Sequence, residues 1–102
     1  MTALVSTALV STARVATATP ARYVARLCKH FAHKVPAALG EGEGRVSFPK
    51  GTAILHAEGD ALVLRAEAAD GAALREVEGV VERHLVRFAT DEALEVVWAP
   101  TT

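Results

Sequence analysis

Three histidines pose the first chemical question. His30 and His33 are three residues apart. On a helix that spacing puts both on one flank at successive turns, where they could share a metal ion. His84 lies in a second amphipathic stretch, one turn after Val81 and one before Phe88, at the edge of its apolar stripe. If the two stretches are adjacent, His84 faces His30. Neutral imidazoles from two helices suit Zn, Fe, Cu or Ni, so the cofactor expectation is a transition metal held by His30, His33 and His84. The pattern is not HExxH, because Phe31 and Ala32 stand where a catalytic glutamate would be. The competing reading makes these histidines ordinary donors at the rim of a core.

A second feature surrounds the first. Residues 1–40 contain five basic residues (Arg14, Arg22, Arg26, Lys29, Lys34) and no Asp or Glu, while residues 41–102 contain six basic and twelve acidic ones. The halves carry +5 and −6, and the chain −1. On a helical wheel Arg22, Arg26, Lys29 and His33 fall opposite the apolar residues Leu27, Cys28 and Phe31, with His30 at the boundary. Such a face is either solvated or a docking surface for a small anionic ligand or an acidic protein partner. Glu76, Glu78 and Glu82 on the second helix offer a third outcome, interhelix ion pairs that absorb the charge.

Other nucleophiles find no supporting pattern. Cys28 lies on the apolar stripe and reads as a small buried hydrophobe. Ser11 and Ser47 lack a GxSxG context, and Gly40, Gly42 and Gly44 precede neither a Lys-Ser pair nor a helix. No paired acid and base stands out, so no catalytic residue is assigned.

The elements that must position these residues are legible in outline. Thr12–Ala18 reads as a first strand. Thr19-Pro20 starts a helix, with Thr as cap and Pro at its first position, and Pro36 ends it. Residues 37–44 (AALGEGEG) read as a loop. Arg45–Phe48, Thr52–Ala57 and Ala61–Glu67 form a meander through turns at Pro49-Lys50-Gly51 and Gly59-Asp60. Asp70 caps a second helix of about 18 residues, striped by Leu74, Val77, Val81, Leu85 and Phe88. Leu94–Trp98 is a last strand, with Trp98 as a core anchor. The order is βα-βββ-αβ. It predicts an α+β fold, a two-layer sandwich with a mostly antiparallel sheet of 4–5 strands and both helices on one face. Residues 1–11, with their TALVS near-repeat, read as a flexible N-terminal extension before a single α+β domain over 12–99.

Composition closes off several classes. The lone cysteine excludes an intrachain disulfide framework. No apolar run reaches the ~18 residues needed to span a bilayer. The first residues lack the basic start of a signal peptide, so the expected location is cytoplasmic, with no membrane role. A near-neutral total and few aromatics argue against nucleic acid as a partner.

The stretches ARVATATPARY (13–23), LCKHFAHK (27–34), GRVSFPKG (44–51), VVERHLVRFA (80–89) and LEVVW (94–98) together resemble a small bacterial family, domain of unknown function 2218. In this sequence the pattern includes Cys28, His30, His33, Lys34, His84, Arg87 and Phe88. The resemblance implies a stand-alone α+β domain without an assigned activity. It also implies a link to iron, because related domains accompany siderophore-interacting, ferric-reductase-like proteins. Anionic iron chelates would be compatible with the basic helix.

The leading expectation is a non-catalytic binding or accessory module using Arg22, Arg26, Lys29, His30 and His33. The alternatives are a metal- or haem-binding protein, with enzymatic activity an open question, and a self-associating domain that forms a homodimer through an uncovered sheet face or edge.

Overall fold

The computed structural model describes residues 8–101. The elements are β1 (Leu9–Ala16), α1 (Pro20–Phe31), β2 (Ala37–Leu39), β3 (Glu43–Phe48), β4 (Gly51–Glu58), β5 (Ala61–Ala68), α2 (Gly71–Phe88) and β6 (Ala99–Pro100). They build one six-stranded antiparallel sheet in the order β2-β3-β4-β5-β1-β6. Both helices pack on the same face, α1 over β2 to β5 and α2 over β4, β5 and β1. The α+β class and the central meander are as predicted, while the sheet is larger than the expected 4–5 strands.

Alternation along the strands creates the two layers. Ala13, Val15, Val46, Ala53, Leu55, Leu62, Leu64 and Ala66 are buried and point toward the helices. They meet Val24, Leu27, Cys28 and Phe31 of α1 and Val77, Val81 and Leu85 of α2 in one apolar core. Among the described residues, no helix packs on the opposite sheet face. Ile54 and Val63 are half-buried there, among Arg14, Arg45, Arg65, Glu43 and Glu67. Charges interspersed this way suit solvent better than a dry dimer interface.

Gly44 lets α1 approach the sheet. A Cβ at this position would lie 2.2 Å from Cys28 Sγ and 3.3 Å from Val24 Cγ1. The β4–β5 hairpin turns at Gly59, whose φ of 58° suits a residue without a side chain.

Five expectations need correction. β1 begins at Leu9, so Leu9, Val10 and Ser11 belong to the sheet rather than to the extension; residues 1–7 lie outside the described residues. Ala37–Leu39, read as loop, pairs with β3, because the backbone of β3 offers partners that weak local propensity does not reveal. Leu94–Trp98 is not a strand. Leu94, Val96 and Trp98 are half-buried while Glu95 and Val97 are exposed, so the alternation reports burial without a hydrogen-bonded ladder. Pairing with β1 begins only at Ala99 and Pro100. Thr19 makes no side-chain cap; its own amide donates to Thr17 Oγ1 at 3.2 Å. Helix α1 ends at Phe31, four residues before Val35, where the chain tightens into bonds from His33 N to His30 O and Lys34 N to Phe31 O. Asp70 does cap α2, accepting from the Ala73 amide at 2.8 Å.

Candidate functional site

The seam between the helices gathers most of the predicted residues. His30, on the last turn of α1, sits with its ring centroid 4.8 Å from that of His84 on α2. Phe88 lies 5.3 Å from His30 in an edge-on contact, and Phe31 lies 4.9 Å from His84. The Arg26 guanidinium stands over Phe88, 4.7 Å from its ring centre. Phe31 in turn meets Phe48 of β3 edge-on at 5.1 Å. One continuous run of rings thus leads from Arg26 across the seam to the sheet.

The expected meeting of His30 and His84 is therefore present. Their hydrogen bonding gives the two rings different roles. His84 Nδ1 lies 2.7 Å from the Val80 carbonyl oxygen, so that nitrogen carries the proton and donates, leaving Nε2 as the lone-pair nitrogen when the ring is neutral. The pKa of His30 is held below the usual histidine value. Burial contributes most, followed by the positive neighbours His84, His33, Lys34 and Arg87.

His33 does not complete a metal triad. It follows the end of α1, in the turn closed by its own amide donating to the His30 carbonyl. Among the described residues no group of three or more His, Cys, Asp or Glu side chains is placed to hold a metal ion. Instead His33 lines a cleft of about 400 Å³ together with His30, Lys34 and His84. His56 lies on the open sheet face, away from the seam, with its Nδ1 3.5 Å from Glu43 Oε1.

The cationic face is not neutralised by α2. Arg22, Arg26 and Lys29 are exposed, and the ion pairs among the described residues are Arg14–Glu58, His56–Glu43 and Arg65–Glu67, all on the sheet. The α2 acids that could have paired with α1 are used elsewhere or exposed. Glu78 accepts from buried Ser11, Glu82 accepts from Trp98 Nε1 at 3.0 Å, and Glu76 is exposed. Asp91 and Glu92 stand beside Arg22 and Arg26 around a small pocket of about 90 Å³ without pairing with them. The Glu92 carboxylate is held by Thr17 Oγ1 at 2.9 Å and Tyr23 Oη at 2.7 Å.

Sequence reasoning missed Tyr23 and Glu92. Tyr23 continues the α1 stripe one turn before Leu27, and it is buried to 8% exposure. Its pKa is pushed up to about 12 by burial first, then by the hydrogen bond to and the charge of Glu92. No local signal links residues 69 apart. Cys28 is buried as expected, and burial pushes its thiol pKa up, away from nucleophilic behaviour.

Fold and seam together define a two-layer α+β domain with a cationic, ring-lined junction between its helices. Comparison with known proteins gives the family: the chain belongs to the uncharacterized proteins conserved in bacteria that share domain of unknown function 2218, whose model matches residues 12–99. It is similar to PA4090 from Pseudomonas aeruginosa, known from an NMR structure. The TM-score is 0.78 at 37% identity, covering 90% of this chain and 96% of that one. No curated protein matches the sequence. No helix among the described residues is long and apolar enough to cross a membrane.

Proposed function

We propose that this chain is a non-catalytic binding module. Its working surface is the cationic flank of α1, Arg22, Arg26, Lys29, His30 and His33, with His84 joining from α2. The ligand is an anion, either a small polyanionic molecule or an acidic patch on a protein partner. One observation carries the reading: Arg22, Arg26 and Lys29 have no ion-pair partner among the described residues, while Glu78, Glu82 and Glu92 are engaged by hydroxyl and indole donors and Asp91 stands beside Arg22 and Arg26 without pairing with them. Unpaired cations clustered on one helix concentrate positive potential there and draw anions to it.

The family resemblance suggests the probes, citrate and ferric citrate, the second an anionic iron chelate. Calorimetric titration of both into the wild-type chain and into Arg22→Glu/Arg26→Glu tests the reading. Both positions are exposed, so the variant keeps the fold, which circular dichroism checks. Binding weakened roughly tenfold or more by the double reversal supports the reading, since each exposed ion contact contributes up to ~1 kcal/mol and reversal adds repulsion. Equal affinity in the two chains, or no binding by the wild type, overturns it. A metal or haem centre is not part of the proposal, because the described residues bring two imidazoles together without a third ligand.

A further inference from the structure

The cleft at the end of α1 is chemically unlike the outer flank. Its wall is apolar, formed by Phe31, Val35, Phe48 and Val80. Its rim is basic or titratable, formed by His30, His33, Lys34 and His84, and no carboxylate lines it. The volume, about 400 Å³, falls in the range of small-molecule sites. The wall is also pre-formed: Phe31 packs edge-on against Phe48 at 5.1 Å and at a tilt against His84 at 4.9 Å. A second trough of about 250 Å³ shares Phe48 and Val80 with it and continues along Val77 to Pro49, ending between the charges of Lys50 and Glu76, away from the basic mouth.

We infer that this cleft binds a monocarboxylate with an apolar body, such as a medium-chain aliphatic acid. Its head group lies at His30, His33 and Lys34, and its chain lies on Phe31, Val35, Phe48 and Val80. The inference rests on the anion-binding reading above for its head group and adds a ligand class. Charge complementarity selects an acid over an amine or a neutral amphiphile, because cationic groups ring the mouth without a counter-charge. The apolar wall selects an acid with a hydrocarbon body over a polyanion such as citrate, whose carboxylates would lose water there without partners. The trough toward Lys50 gives a longer chain further surface to cover.

Two properties follow from the geometry. Affinity rises with chain length, roughly fourfold for each methylene fully buried, until the trough is filled. Binding is also linked to proton uptake at His30. The groups facing that ring are His33 and Lys34 beyond α1 and His84 and Arg87 of α2, all of one sign. A bound carboxylate offsets them and favours the imidazolium, so affinity falls as pH rises past the titration of His30 in the complex.

The test uses octanoate, decanoate and decanol below their micelle-forming concentrations, with amide shifts and calorimetry as readouts. The inference expects shifts at residues 30–35, 48 and 80, and decanoate binding roughly tenfold or more tighter than octanoate. It expects decanol to bind weakly, and decanoate to lose roughly tenfold in Lys34→Glu, an exposed position whose reversal leaves the core intact. Decanoate binding retained in Arg22→Glu/Arg26→Glu separates the cleft from the outer flank. Equal binding of decanoate and decanol, shifts confined to the open sheet face, or no binding overturns the inference. Citrate binding lost in the double reversal would still uphold the outer flank in that case. Decanoate bound without any citrate binding would uphold the cleft and end the broader reading.

Discussion

Replacing Glu92 tests the anchor that ties the C-terminal segment to α1. One carboxylate oxygen accepts from Thr17 Oγ1 at 2.9 Å and from Tyr23 Oη at 2.7 Å, and both donor residues are nearly out of water, at 5% and 8% exposure. A hydrogen bond to a charged group contributes about 1.5–3 kcal/mol, and a buried hydroxyl left unpaired costs about 1–3 kcal/mol. Glu92→Ala should therefore lower unfolding stability by about 2–4 kcal/mol, allowing for partial relaxation. Glu92→Gln keeps an acceptor and should lose about half of that. A second readout is independent of stability, because Tyr23 is the sole tyrosine, so tyrosinate absorbance reports it alone. In the wild type that signal should rise near pH 12 rather than the ordinary 10.0. In Glu92→Gln it should rise earlier yet remain above the ordinary value, because burial, the largest cause, persists. The sign of the linkage follows. A raised tyrosine pKa leaves stability unaffected by this group below the ordinary 10.0, and stability is then lost by about 2–3 kcal/mol as pH climbs toward about 12. A Glu92→Gln protein with an unchanged urea midpoint and an unchanged tyrosinate midpoint would refute the reasoning.

Three further perturbations probe the rest of the scaffold. Gly44→Ala should cost about 1–3 kcal/mol in urea unfolding, because its Cβ would meet Cys28 Sγ, and the cost should shrink in a Cys28→Ala background; equal costs in both backgrounds would discount the contact. His30 should titrate below the ordinary histidine value in ring-proton NMR, and His84→Gln should move it back up by removing a positive neighbour. With its folded pKa lowered, His30 contributes stability that is present above the ordinary 6.5 and lost as pH falls through it toward the folded value, a loss that should be absent in His30→Gln. Asp70→Ala should cost about 1 kcal/mol through loss of the bond from the Ala73 amide, measured by thermal unfolding.

Legibility in the sequence depended on whether a signal was local. Helix α2 could be read nearly to the residue, because Asp70 caps it and its stripe runs unbroken to Phe88. The meeting of His30 and His84 was legible too, since each sits at the edge of an apolar stripe and both stripes had to face one sheet. His33 shares a cleft with His30 and His84, yet it stands on a turn after Phe31 and not on the helix to Pro36 that its spacing suggested. β2 was invisible because Ala37–Leu39 has little intrinsic strand preference and owes its state to pairing with Gly44, Arg45 and Val46. Leu94–Trp98 misled in the opposite direction, since alternation records which side is buried and not whether a neighbour offers hydrogen bonds. Which of the three outcomes the charge split would take was not legible, because Ser11 and Trp98, both outside the helices, reach the Glu78 and Glu82 carboxylates.

The most direct test of the central claim, that the flank of α1 is an unpaired cationic surface for an anion, is an amide-shift map of the ¹⁵N-labelled chain titrated with citrate. The account predicts shifts that cluster on residues 22–33 of α1 and its C-terminal turn and vanish in Arg22→Glu/Arg26→Glu. Shifts spread over the open sheet face, or a map unchanged by the double reversal, would contradict it.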